Sequence, residues 1–382
     1  MKKILLLALA AMIAPAMFGQ SQSADEIISK LKKEIAPDGR TAIWNVSTVM
    51  QKGVVTLVGE VDNNAQAEAI GNALKAKGID YKDYIVRLED VPAKPWALVK
   101  LAIASHRTQG KHSAEMATQS VMGMPVKVLG AESDGWVRVQ TPDGYISWVP
   151  TNSLKMMCDK CFDQWRKSTR FIVTAMCASL VEEPKEESAV VSDLVLGNIL
   201  ECKEMMTGSK WVKLCTPDGR EGYVECKNVE PLSQWVKQPL SMAKIEETAH
   251  KMMGAGYLWG GTSTKVTDCS GLVKVCYYSN GVILERDASQ QCLNGKYIKG
   301  SEWKQAQLGD LLFFGNSETG RITHVGIYLR DGKYIHCSGQ VKINSLVKSD
   351  PTYLYDAIRI SRIEGELGKK GITPVATHPW YF

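Results

Sequence analysis

A short pattern occurs twice in the chain at a fixed offset. Trp136-Val137, Thr141-Pro142-Asp143-Gly144 and Trp148-Val149 are matched by Trp211-Val212, Thr216-Pro217-Asp218-Gly219 and Tyr223-Val224, every position displaced by 75 residues. Proline presets the first corner of a tight turn and glycine accepts the left-handed residue that closes it, so each copy predicts a strand, a turn and a returning strand. A hairpin alone cannot bury its apolar side. Two copies with further short β-runs upstream therefore predict two small barrels, over residues 96–156 and 169–232. Pro184-Lys185-Glu186-Glu187 reads as a charged loop inside the second.

The barrels occupy the middle of a 382-residue chain, which at about 100 to 200 residues per domain has room for two to four domains. Residues 24–95 carry a small α+β pattern. It consists of a helix over Asp25–Ile35 with Ile27, Ile28, Leu31 and Ile35 on one face, a strand over Val54–Val61, a helix over Ala65–Lys77 and a strand in which Tyr84, Val86 and Leu88 alternate. From about residue 240 helices precede strands: Ala243–Met253, a second helix starting near Cys269, then strand runs at Asp310–Phe314, Thr323–Leu329, Tyr334–Cys337 and Asp356–Ile360. The whole is expected to be a multidomain α+β chain. With 45% hydrophobic and 23% charged residues it is neither a disordered tail nor a multi-span membrane protein, and a net charge of +5 gives no electrostatic case for nucleic acid.

Lys2 and Lys3 precede an apolar run from Ile4 to Phe18, too short to span a bilayer and followed by small residues. Residues 1–19 read as a signal peptide ending at Gly19. With no cysteine before Cys158 to acylate, the expectation is an exported protein, periplasmic or secreted, with no stable membrane anchor.

Ten cysteines pose the question of disulfide, metal or nucleophile. In Thr267-Asp268-Cys269-Ser270-Gly271-Leu272-Val273, Asp268 suits a helix N-cap, and Leu272, Val273 and Cys276 suit a buried helical face. Cys269 then lies in the first turn, where the positive end of the helix is expected to stabilise a thiolate. Ser270 and Gly271 leave room for a substrate carbonyl, and the N–H groups there suit an oxyanion hole. His324 and His336 flank a hairpin whose turn is Asp331-Gly332. A two-residue turn there sets His324 opposite about residue 339, which leaves the two histidines diagonal neighbours at best. His324 is the expected base for the thiol and His336 the residue that orients its ring.

Asp268-Cys269-Ser270-Gly271, the HVGIYL run at 324–329, YLWGGTS at 257–263, RDASQQ at 286–291 and LGDLLFF at 308–314 occur in the order that resembles NlpC-type cysteine peptidases, over about 240–365. The resemblance implies a papain-like catalytic domain at 240–382 that cleaves peptidoglycan stem peptides. The TPDG repeats resemble bacterial SH3-like domains, and VVTLVGEVDN with its following helix is similar to BON-type modules of cell-envelope proteins. The combination resembles the γ-D-glutamyl-L-diamino acid endopeptidases, called dipeptidyl-peptidase VI, which release L-Ala-γ-D-Glu from a free L-Ala end while the first barrel blocks the cleft. Carried over, Cys269, His324 and His336 are catalytic. Tyr257, Asp268, Ser270 and the barrel residue Tyr145 hold substrate, Asp268 pairing with its ammonium group. Glu115, for the ammonium group, and Ser289, for the D-Glu carboxylate, are further substrate-binding candidates that the resemblance implies, each off the family's spacing by a small shift. The resemblance implies no cofactor and no metal.

Two other readings keep the same domains: a murein-binding protein with a degenerate peptidase domain, and an amidase or acyltransferase. Cys158-x-x-Cys161 has no second ligand pair for zinc and reads as a short disulfide or two thiols.

Overall fold

The computed structural model describes residues 21–205 and 208–382. The leader reading at 1–19 lies outside them. The described chain forms two compact units, one reaching to Pro95 with Val128–Ala131, the other comprising Trp96–Lys127 and Glu132–Phe382.

In the first unit a helix over 21–35 and the helix Asn64–Ala76 accompany a three-stranded sheet. Asn63 caps the second helix by accepting from the Gln66 N–H. Strand Val54–Val61 runs antiparallel to Trp44–Gln51 and parallel to Tyr81–Arg87. Ile28, Trp44, Leu57, Ile70, Leu74 and Ile85 close the core. The last strand turns Ile85 inward and leaves Tyr84 and Val86 exposed, the reverse of the alternation expected from sequence. Ile35 is likewise exposed, at the last residue of its helix.

The second unit contains two seven-stranded sheets built mainly of short antiparallel strands. In the first, Trp136 faces Pro150 and Gln140 faces Ile146; in the second, Trp211 faces Glu225 and Cys215 faces Glu221, the same pairs 75 residues on. Both turns close alike. Thr141 N–H donates to Tyr145 O and Thr216 N–H to Arg220 O, each at 2.9 Å, and Gly144 and Gly219 take φ of 83° and 92°. The 184–187 stretch lies in the loop between strands Cys177–Val181 and Val190–Val195 of the second sheet.

Between the sheets runs the helix Asp159–Lys167. Its Phe162 and Trp165 pack with Leu98 of the first sheet, Ile172 and Ile199 of the second, and Ile283, Val375 and Tyr381 of the C-terminal region.

That region places helices Met242–Lys251 and Cys269–Tyr278 against a six-stranded antiparallel sheet, in the order Lys296–Lys299, Arg359–Arg362, Leu311–Gly315, Ile322–Tyr328, Lys333–Ser338 and Gln340–Ser345. Leu272, Val273 and Cys276 bury one helix face against Val325, Ile327, Ile335 and Cys337. The opposite sheet face has its own core of Leu312, Phe314, Tyr328, Tyr334 and Ile360, so these strands are apolar on both sides. The strand expected over Asp356–Ile360 begins only at Arg359, and Gln340–Ser345 was not foreseen.

Candidate active site

Asp268 caps the helix Cys269–Tyr278 by accepting from the Gly271 N–H at 2.7 Å, which puts Cys269 at the first helical position. A Cβ on Gly271 would stand 1.9 Å from Gly261 O, so glycine is what lets the 257–263 loop lie on this turn. The thiol is buried and sits where Val325, the residue after His324, offers its N–H.

The hairpin carrying the histidines departs from the expected register. Lys333 N–H donates to Arg330 O at 2.8 Å, with Asp331 and Gly332 at φ 54° and 77°, as an Asp-Gly turn requires. Leu329 N–H then donates to the same residue, Lys333 O, at 2.9 Å. Two residues oppose one, which is a bulge. The ladder beyond it pairs Ile327 with Ile335 and Tyr328 with Tyr334, one residue off the plain-turn register. This slip changes which side chains share a face. It sets Gly326 across from His336 and brings His324 and His336 to one side as diagonal neighbours. A Cβ on Gly326 would lie 3.1 Å from His336 Cβ.

His324 Nε2 and His336 Nδ1 are 2.6 Å apart, and His336 Nε2 is 2.8 Å from Asn344 Oδ1. Asn344 Nδ2 donates to Thr352 O at 2.7 Å. That carbonyl only accepts, so it fixes the amide and, through it, both rings. Asn344 Oδ1 accepts the Nε2–H of His336. His336 Nδ1 is then bare and accepts the Nε2–H of His324, which leaves His324 Nδ1 as the basic nitrogen. Asn344 was missed at the level of sequence: Gln340-Val341-Lys342-Ile343-Asn344 alternates as a strand does, but alternation does not say that its polar face meets His336.

The expected thiolate is not what the surroundings favour. Burial pushes the Cys269 thiol up to about 11, with the charge of Asp268 acting the same way; the N–H groups of Val325 and Ser270 and the Arg286 cation oppose this without overcoming it. Burial, and then His336, lowers His324 to about 4, and burial lowers His336. Near neutral pH the resting pair is therefore a thiol and a neutral imidazole.

Asp268 and Ser270 also differ from expectation. A fully buried arginine, Arg286, holds both: its Nη2 donates to Asp268 Oδ2 at 2.5 Å, its Nη1 to Ser270 Oγ at 2.8 Å, and its Nε to Thr118 Oγ1 at 3.1 Å. Gly260 N–H adds a 2.9 Å bond to Asp268 Oδ2. The carboxylate is thus filled from within, which is how a buried charge is tolerated. It is a scaffold between the nucleophile's turn and the first sheet, and Ser270 Oγ turns inward with it.

Tyr145, from the first TPDG hairpin, donates to Asp287 Oδ2 at 3.3 Å. Asp287 keeps 28% of its side chain exposed, against 6% for Asp268. Gln119 Oε1 accepts the Thr262 N–H at 2.9 Å, so strand Met116–Val121 lies on the loop beside Cys269. Glu115 is exposed next to Met116, whose carbonyl approaches Gly260. Tyr257, with Leu258 and Trp259, forms an exposed apolar lip; burial and the nearby Cys269 and Asp268 raise the Tyr257 hydroxyl's pKa. Ser289 is half-buried on the short helix Ala288–Gln291. An open groove of about 770 Å³ is lined by His324 together with Phe314, Ser338, Tyr355 and Lys299.

Residues 254–359 match the NlpC/P60 family and residues 107–154 match the bacterial dipeptidyl-peptidase Sh3 domain. Dipeptidyl-peptidase 6 of Lysinibacillus sphaericus is 30% identical over 274 residues, 68% of this chain and 95% of that protein. The chain belongs to the NlpC/P60 family. This NlpC/P60 chain is also 30% identical over 228 residues to the gamma-D-glutamyl-L-lysine dipeptidyl-peptidase of Bacillus subtilis, covering 57% of itself and 71% of the relative. Its fold resembles the crystal structure of an NlpC/P60 family protein from Bacillus cereus, with a TM-score of 0.60 at 22% identity over 70% of this chain and 99% of that one. The family is one of cysteine peptidases, and the SH3-like domain precedes the NlpC/P60 domain here.

Proposed function

We propose that the chain is an exported cysteine endopeptidase that cleaves the γ-D-Glu–diamino acid bond of peptidoglycan stem peptides with a free N-terminal L-Ala, releasing L-Ala-γ-D-Glu. The observation that carries this reading is the hydrogen-bonded series from Asn344 through His336 to His324 beside the buried Cys269, with Thr118 and Tyr145 of the first SH3-like domain hydrogen-bonded to Arg286 and Asp287 near it. The named relatives support the dipeptidyl specificity, and the leader at 1–19 supports export. The matching hairpin register supports reading the second sheet as a second SH3-like barrel.

His324 Nδ1 takes the Sγ proton as sulfur attacks the scissile carbonyl, and the resulting imidazolium is held by His336. The oxyanion meets N–H groups at the start of the helix. His324 returns the proton to the leaving amine. Water, deprotonated by the same nitrogen, then cleaves the thioester and restores the thiol. The substrate ammonium is met by Asp287, the more exposed of the two neighbouring carboxylates, with Asp268 and Glu115 as the other acids beside the site. Tyr257 and Tyr145 flank the dipeptide, and a cleft closed by the first sheet limits substrates to those with a free end.

Cys269→Ala is expected to abolish release of L-Ala-γ-D-Glu from a tripeptide with free L-Ala, followed by mass spectrometry of the products. Retained release sinks the assignment of the nucleophile. With a muramoyl-linked stem peptide as a second substrate, products cut at the muramoyl–L-Ala bond instead indicate an amidase.

A further inference from the structure

The Cys158-Asp159-Lys160-Cys161 stretch stands apart from the peptidase site, at the start of the nine-residue helix Asp159–Lys167. Cys158 is the N-cap: its Sγ accepts the Cys161 N–H at 3.3 Å and lies 2.8 Å from Cys161 Sγ. Both residues reach solvent. The turn beneath them is fixed. Phe162 stacks on Trp96 at 4.3 Å between ring centroids, Trp165 is buried, and Trp96 Nε1 donates to Asp159 Oδ1 at 3.0 Å. The two sulfurs are therefore held together at an accessible surface by a helix that cannot swing away.

The electrostatics agree with the geometry. The Cys161 side-chain hydrogen bond, then the backbone N–H, lowers the pKa of Cys158. Burial drives the core cysteines Cys215, Cys276 and Cys337 the opposite way. Among the described residues no group of three or more His, Cys, Asp or Glu is placed to hold a metal.

We propose that Cys158 and Cys161 are a redox-active dithiol that exchanges with small-molecule or protein disulfides, Cys158 attacking and Cys161 resolving. The Cys158 thiolate attacks one sulfur of the partner disulfide, forming a mixed disulfide and expelling one thiolate, which takes up a proton. Cys161 then loses its proton and attacks the Cys158 sulfur, expelling the second thiol. The chain gives up two electrons as an internal disulfide forms, and the partner disulfide is reduced to two thiols.

The full chain is incubated with oxidised glutathione, alkylated and cut with trypsin, which cleaves after Lys155, Lys160 and Arg166 and so separates the two cysteines. Wild type should give peptide 156–160 joined to peptide 161–166 and carrying no glutathione. Cys161→Ser should retain one glutathione on 156–160. Cys158→Ser, which keeps an oxygen at the N-cap and so preserves the helix, should pick up glutathione on 161–166 more slowly. Cys158 should react faster than the exposed Cys177 and Cys226, which have no second thiol held beside them by a helix N-cap. The proposal is overturned if no joined peptide forms while Cys177 and Cys226 are modified, or if Cys158 reacts no faster than they do.

Discussion

At the scale of single residues the site's main property is that its nucleophile is neutral at rest. A helix N-terminus by itself favours a thiolate, but the same turn is buried and its cap is a carboxylate, and burial and Asp268 raise the thiol pKa against the N–H groups of Val325 and Ser270 and the Arg286 cation. Catalysis then depends on His324 being unprotonated when substrate arrives. With its folded pKa depressed from 6.5 to about 4, the imidazole is neutral above that value and charged below it. The acid limb of kcat/KM is therefore expected near pH 4, with little loss between 7 and 5, in a pH–rate profile on free tripeptide. A limb near 6.5 would show that burial does not govern this histidine. The sign for stability is the same: His324 contributes fully above 6.5, and its contribution is lost as pH falls toward 4. Asn344 sets which nitrogen is basic. Asn344→Ala should lower kcat by about ten- to a hundredfold with KM nearly unchanged, the usual scale for losing an orienting partner. Asn344→Asp keeps the acceptor and adds a negative charge, so it should retain more activity and shift the acid limb upward.

The decisive element is the hairpin, where sequence and structure differ by one residue. The Asp331-Gly332 turn was legible from its two residues alone. The bulge that follows was not, because it depends on how both sheet faces are buried: Val325 and Ile327 must meet the helix while Tyr328 and Tyr334 meet the opposite core. Cys269's place at a helix start was legible for a local reason, since Asp268 caps within four residues. Arg286 and Asn344 were opaque because their partners come from 18 and 8 residues away or more, and nothing local marks an arginine as buried. The slip also makes Gly326 a constraint. Gly326→Val would press on the Tyr334 ring and on His336 Cβ, at 3.0 and 3.1 Å from its first carbon, and tilt His336 away from His324. Kcat should fall about tenfold or more while binding of substrate to the Cys269→Ala background, measured by calorimetry, stays close to the parent's.

Across the second unit the repeated turn has taken two different jobs. In the second copy Asp218 pairs with Arg220 of its own turn at 3.1 Å, both partly exposed. In the first copy Asp143 pairs instead with Lys274 of the helix that begins at Cys269, both almost wholly buried. Lys274 also donates to Leu284 O at 2.9 Å, and Pro142 O is 3.0 Å from His378 Nε2. Burial acts to raise the Asp143 pKa, but Lys274, Thr141 and the Tyr145 N–H together hold it below the usual range. The same four-residue turn is thus a solvent-side corner in one sheet and a docking key in the other. Lys274→Met leaves Asp143 buried without its cation and should destabilise this unit by about 3 to 5 kcal/mol in chemical denaturation, whereas Asp218→Asn should cost less than about 1 kcal/mol. Adding Asp143→Leu to Lys274→Met should recover much of the loss, since an apolar pair needs no charge compensation. The activity of Lys274→Met tests what the docking is for. If the first sheet closes the cleft, loosening it should raise the rate on stem peptides with an acylated L-Ala relative to free ones. An unchanged ratio alongside the stability loss would mean that the ion pair joins the sheet to the helix without setting where a substrate must end.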